Sequence, residues 1–153
     1  METYWNTKLT KDEIEICARL LNDIMHKQGS TLAHFGDIES VREFLPALVN
    51  DCAVRVLRSV EDNHVLGIIV WGVSNFWWSK EPFLFEDLVL AVDPKYHGFA
   101  REAIKALEVL AKANKCKGIL SGCLLQDKPQ MVLNSYRKFG FNEIIPNMLK
   151  VCK

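Results

Sequence analysis

The stretch from Leu88 to Arg101, Leu-Val-Leu-Ala-Val-Asp-Pro-Lys-Tyr-His-Gly-Phe-Ala-Arg, constrains this chain more than any other. An apolar run of strand type stops at Asp93-Pro94, because proline has no N–H with which to continue a ladder. A short loop holding Gly98 and Ala100 follows, and a helical pattern begins at once. A helix N-terminus presents unpaired N–H groups and a partial positive charge, and small residues let an anion approach the backbone. The stretch reads either as a phosphate site or as an ordinary strand-to-helix turn, since one Gly-x-Ala is a weak signal alone.

The elements around it follow from periodicity. Thr10-Lys11-Asp12-Glu13 reads as a helix N-cap with acids in the first turn, and Ile14, Cys17, Leu20, Leu21, Ile24 and Met25 recur at helical spacing up to Gly29-Ser30. A second helix is predicted from Ile38 to Val49; Pro46 means that it is kinked or has other bounds. Cys52–Arg58 and Val65–Val73 read as a hairpin around the Glu61–His64 turn, Asn75–Pro82 as a loop, and Leu84–Val92 as a third strand. After the Gly98 helix come a strand over Gly118–Leu125, a helix over Met131–Phe139 and a last strand over Asn142–Cys152. The order predicts a single α/β (α+β) domain over residues 1–153, its sheet mixed but mostly antiparallel with helices on both faces.

The totals exclude some functions. The 19 basic residues are matched by 19 acidic ones, so no global field draws the chain to nucleic acid or an anionic membrane. The longest apolar run, Val65–Val73, is too short to span a bilayer. Met1–Lys11 is polar, without the apolar segment of a signal peptide. Cys17, Cys52, Cys116, Cys123 and Cys152 are odd in number and widely spaced, mostly within apolar runs, which reads as reduced core thiols in a cytoplasmic protein. His26, His34, His64 and His97 show no ligand spacing, so no metal is expected.

Leu90-x-Val92-x-Pro94-x-Tyr96-x-Gly98-x-Ala100 resembles the signature of the Gcn5-related N-acetyltransferase (GNAT) family, and Asn134-Ser135-Tyr136-Arg137-Lys138-Phe139-Gly140-Phe141-Asn142-Glu143 resembles that family's N-x-Y-x-K-x-G-F-x-E ending. The resemblance covers about Val54 to Cys152 and implies acetyl-CoA as co-substrate. It implies that the amides of His97, Gly98, Phe99, Ala100 and Arg101 hold the pyrophosphate, with Lys95 and Asn134 also at the cofactor. It sets the backbone of Leu90 and Val92 along the pantetheine arm, as an added strand would lie. Tyr136 is implied to protonate the departing thiolate; read from its own residues, the segment is equally an amphipathic helix with a glycine cap and a packed tyrosine.

The chain departs from the family at Lys95, where Arg or Gln is usual, at His97, where Arg is frequent, and at Glu102, where a third small residue is usual. A carboxylate there suits the helix dipole but repels a pyrophosphate. Phe85-Glu86-Asp87-Leu88 resembles the Leu-Glu-Asp of the family's polyamine acetyltransferases, two residues further upstream. That even offset is expected to keep Glu86 on the same strand face, as a base acting through water or across a bulge; the alternative is a polar strand end. Trp77, Trp78, His34 and Phe35 are weaker candidates for lining an acceptor. The expected activity is transfer of an acetyl group to a primary amine of a small molecule or protein; the alternative is a GNAT-fold binding or structural module without catalysis. Oligomeric state is open, a homodimer included.

Overall fold

The computed structural model describes residues 1–28, 35–122, 129–143 and 150. Its elements are β1 (Thr3–Asn6), α1 (Lys11–Gln28), α2 (Ile38–Asn50), β2 (Val54–Ser59), β3 (Val65–Ser74), β4 (Phe83–Ala91), α3 (Phe99–Ala113), β5 (Ile119–Ser121) and α4 (Pro129–Lys138). One five-stranded sheet runs in the order β1-β2-β3-β4-β5. Its first three pairings are antiparallel and β4–β5 is parallel, the mixed sheet that the element order implied.

β1 is an addition to the expected order. Thr3-Tyr4-Trp5-Asn6 is too short and polar to show an alternation, and it becomes a strand by pairing with β2, with Trp5 opposite Leu57. α2 continues through Pro46 and ends one residue beyond the expected bound. Thr10 and Glu13 form a reciprocal capping box on α1: Glu13 N–H donates to Thr10 Oγ1 at 3.2 Å and Thr10 N–H to Glu13 Oε2 at 2.7 Å. Glu13 also receives both terminal nitrogens of the buried Arg58 at 2.7 and 2.9 Å, locking α1 to β2.

Each sheet face carries its own core. On one, Val54, Val56, Ile68, Val70 and Leu90 pack with Cys17, Leu21 and Leu45 of α1 and α2. On the other, Leu57, Leu66, Ile69 and Leu84 pack with Phe99, Ala103, Leu107, Leu110 and Ala111 of α3. Gly67 leaves room for α3, since a β-carbon there would lie 2.3–2.5 Å from three atoms of the Phe99 ring.

The register shifts in the middle of β4. Val70 faces Leu88 but Trp71 faces Glu86, so Asp87 is an extra residue, a β-bulge. The bulge overturns the even-offset expectation. Leu88 and Leu90 point into the α1/α2 core, whereas Leu84 and Trp71 belong to the α3 core. Glu86, two residues from Leu84 and directly opposite Trp71, therefore lies on the α3 face, away from that of Leu88. The rest of the Gly118–Leu125 strand lies outside the described residues beyond Gly122; so does most of the last strand, and Asn142 and Glu143 are irregular.

Candidate active site

The loop between β4 and α3 is built by its own short-range bonds. Asp93 accepts from the amide of Lys95 at 2.8 Å through its side chain and from that of Tyr96 at 3.1 Å through its carbonyl. Gly98 is the N-cap of α3 and supplies no side-chain cap. The first helical bond of this turn is Glu102 N–H to Gly98 carbonyl at 3.2 Å, so the N–H groups of Gly98, Phe99, Ala100 and Arg101 have no partner one turn back within α3, and His97 stands just before them. These are the donors that the resemblance assigned to a pyrophosphate. Gly98 has an ordinary φ of −89°, so its backbone does not demand glycine, and an added β-carbon would touch the tip of Tyr96 at 3.1 Å. The Phe99 ring is buried against Gly67 and Trp5 and anchors the turn, while Lys95, His97, Ala100 and Arg101 are exposed around it. Glu102 pairs with Lys105 at 3.2 Å, so its carboxylate has a cation one turn further from the loop.

The second component is the far edge of β4. Pairing with β5 covers Leu84, Phe85 and Glu86 and stops, leaving Asp87 to Ala91 without a strand on that side among the described residues. Here the structure corrects the expectation for Leu90 and Val92. The amide of Val92 is bound to the Leu66 carbonyl at 3.0 Å, and successive peptide groups of a strand point to opposite edges. The backbone turned toward the open edge is thus that of Val89 and Ala91, the neighbours of the two expected residues. The open edge ends at Ala91 and the helix N-terminus begins at Gly98, separated by the Val92–Tyr96 segment, whose amides are already bonded.

The third component is a buried polar cluster at the last rung of the β4–β5 pairing. Tyr136 of α4 donates its hydroxyl to Glu86 Oε2 at 2.6 Å, joining two residues fifty apart in sequence. Ser121 of β5 donates to the same oxygen at 2.5 Å. Glu86 is 4% exposed and Tyr136 6%, and the tyrosine ring also meets Phe141 edge-on at 4.9 Å. Burial pushes the Glu86 carboxyl above its ordinary range, the two hydroxyls pull it back, and the neighbouring Asp87 charge raises it again. Asp87 is raised too, by its own desolvation. Trp71, opposite Glu86, has its indole N–H buried and without a partner among the described residues. The two residues proposed for proton transfer thus meet directly. Ser121 and Trp71 were not foreseen; Ser121 carried no motif, and only the parallel register brings it beside Glu86.

Other candidates fall elsewhere. Asn134 is exposed on α4 and accepts from Gln130 at 3.2 Å. Trp77 and Trp78 are exposed at the β3–β4 turn, with Trp78 stacked on Phe76 at 4.7 Å. Phe35 is exposed, and His34 lies outside the described residues. Cys17 is a core thiol, pushed up to about 11 by burial, whereas Cys52 is exposed at a φ of 57°, contrary to the core reading. Cys123 and Cys152 lie outside the described residues. Among the described residues no cluster of three or more metal-ligating side chains occurs, and no helix is long and apolar enough to cross a membrane.

No family model and no curated protein sequence matches the chain. Solved structures do. A Trypanosoma brucei acetyltransferase superposes with a TM-score of 0.65 at 15% identity, over 99% of this chain and 100% of that one. A transcriptional regulator from Bacillus halodurans C-125 gives 0.70 at 12% identity, over 99% and 100%. An aminoglycoside acetyltransferase from an uncultured soil metagenomic sample, in complex with sisomicin, gives 0.59 at 14%, over 99% and 96%. At such identities the shared property is the fold, and the presence of a regulator among the neighbours shows that one fold serves several roles. This chain has the fold of the Gcn5-related N-acetyltransferases.

Proposed function

We propose that this protein is an acyl-CoA-dependent N-acyltransferase that moves an acetyl group from acetyl-CoA to a primary amine by direct attack in a ternary complex. The observation that carries the reading is the 2.6 Å hydrogen bond between Tyr136 and the buried Glu86, at the point where β4 and β5 part. The amides of His97 to Arg101, with Lys95 beside them, would hold the pyrophosphate, and the open backbone of Val89 and Ala91 would hold the pantetheine. The bound thioester supplies the activated acyl group. The N–H of Val89, next to Leu90, would polarise the thioester carbonyl.

The proton balance closes on two residues. As the amine nitrogen bonds to the carbonyl carbon and the carbon–sulfur bond breaks, Glu86 accepts one proton from the nitrogen, directly or through water. Tyr136 gives one proton to the sulfur and is restored, by way of water, with the proton that Glu86 accepted, so both residues return to their starting states. A carboxyl raised by burial suits this work, because a base whose pKa approaches the working pH transfers protons in both directions. The acceptor is an amine of a small molecule or a protein, and the Glu86–Asp87 pair favours a cationic one.

A second reading, a binding module without catalysis, is favoured by the closure of Glu86, which is almost wholly buried with two hydroxyls on one oxygen. Calorimetry with acetyl-CoA separates the two. Micromolar binding, lost in Gly98→Glu, followed by amine acetylation that falls by about 10²–10⁴ in Tyr136→Phe and Glu86→Gln, is the expected result. No binding up to millimolar acetyl-CoA would remove the enzyme reading.

A further inference from the structure

Glu86 is held asymmetrically. Oε2 accepts both Tyr136 and Ser121, while Oε1 has no donor among the described residues. Ser121 stands at the last rung of the parallel pairing, opposite Glu86, and the next amide, that of Gly122, donates to the Glu86 carbonyl at 3.3 Å. Side chain and backbone of the glutamate are both tied to β5, so this contact is part of the sheet. Tyr136 reaches the same oxygen from a helix, α4.

The two donors therefore have different freedom. In the acyl-transfer reading Tyr136 must turn its hydroxyl from Glu86 to the leaving sulfur. A buried carboxylate that loses its only donor is strongly disfavoured, and it would take up a proton or hold the tyrosine back. Resting on that reading, we propose that Ser121 is the positioning residue of the proton relay: it keeps Oε2 bonded while Tyr136 is away, fixes the carboxylate in one rotamer and leaves Oε1 for the proton of the acceptor.

The groups around Glu86 come from four elements. Asp87 lies on its own strand, Trp71 across from it on β3, Ser121 on β5 and Tyr136 on α4. The face of α3 that packs on the sheet is apolar, with Ala103, Ile104 and Leu107 turned inward. Burial and Asp87 favour the protonated carboxyl and the two hydroxyls favour the ionised one, so removing one hydroxyl moves the balance toward the proton.

The test is the titration of Glu86 itself, read by carbon-13 NMR of glutamate-labelled full-length protein and assigned with Glu86→Gln. Ser121→Ala is expected to move that titration up by about one pH unit. It should also lower kcat about 10- to 100-fold with the KM for acetyl-CoA unchanged, and raise the acidic limb of the kcat/KM profile. Ser121→Thr, which keeps the hydroxyl, should restore all three. A titration that stays in place in folded Ser121→Ala overturns the proposal. Should Ser121→Ala fail to fold, Ser121→Cys, a weaker donor, is expected to move the titration part of the way, and no movement there overturns it equally. A titration that moves as expected in a chain that binds no acetyl-CoA overturns the acyl-transfer reading instead and leaves the contact itself standing.

Discussion

Gly67→Ala should weaken the fold and the cofactor loop together. The added β-carbon would sit 2.3, 2.4 and 2.5 Å from Cε2, Cζ and Cδ2 of Phe99. Carbon atoms pack at about 3.5–4.0 Å, so the ring must withdraw by more than about 1 Å. It has little room, since Phe99 is 3% exposed and its ring centroid lies 6.3 Å from that of Trp5. Overpacking of this kind costs about 1–3 kcal/mol, against which alanine recovers about 0.5–1 kcal/mol of backbone entropy. The severity of three simultaneous overlaps argues for a net loss of about 2 kcal/mol, or about 4–8 °C in Tm for a chain of this size. Phe99 is also the first residue of α3, and its own amide is one of the free donors. Moving the ring therefore tilts the turn that would receive the pyrophosphate, and acetyl-CoA should bind at least about tenfold more weakly. Thermal unfolding and calorimetry on Gly67→Ala, Phe99→Leu and the double variant provide the test. The smaller side chain should relieve the overlap, so the double variant should lie close to Phe99→Leu alone. A Gly67→Ala protein that melts within about 1 °C of the parent, or a strictly additive double variant, would refute the packing argument.

Two further outcomes rest on ionisable groups. The folded-state pKa of Glu86 is raised by burial, so its ionisation costs stability as pH rises from the unfolded value through the folded one. Glu86→Gln should accordingly unfold at higher denaturant than the parent at pH 7 while losing activity, and the gap should close near pH 4; equal midpoints at both pH values would count against it. Glu13 is the opposite case, held down to about 2 chiefly by its hydrogen bonds to Arg58. Its contribution is complete above its ordinary value of 4.5 and is lost as pH falls toward 2, so Glu13→Gln should flatten the acid-unfolding curve within that window and leave the alkaline side unchanged.

Much of this architecture is legible in the residues because local chemistry decides it. The apolar stripes of α1 and α3, the capping box at Thr10 and Glu13, the β2–β3 hairpin and the Asp93-Pro94 stop all depend on near neighbours, and each stands where periodicity and turn chemistry put it. The loop of free amides belongs to the same class, since a glycine N-cap without a side-chain acceptor leaves the first donors of a helix open wherever that helix lies. β1 does not belong to it: four residues make no pattern until β2 supplies the other half of the ladder.

The site was decided at longer range. Glu86 and Tyr136 could each be singled out from the sequence, but that they share a hydrogen bond depends on the sheet and α4 converging across fifty residues. The face on which Glu86 lies reversed when Asp87 bulged from the ladder, because a single extra residue inverts the alternation on which a reading of strand faces depends. The same pairing register turned Val89 and Ala91, instead of Leu90 and Val92, toward the open edge, and it set Ser121 against Glu86 with no motif to announce it. The sequence by itself determined the helices α1 to α3, the strands β2 to β4 and the stop that opens α3, since those are properties of consecutive residues. Tertiary structure alone decided which carboxylate oxygen meets which hydroxyl, because register and burial arise only between segments.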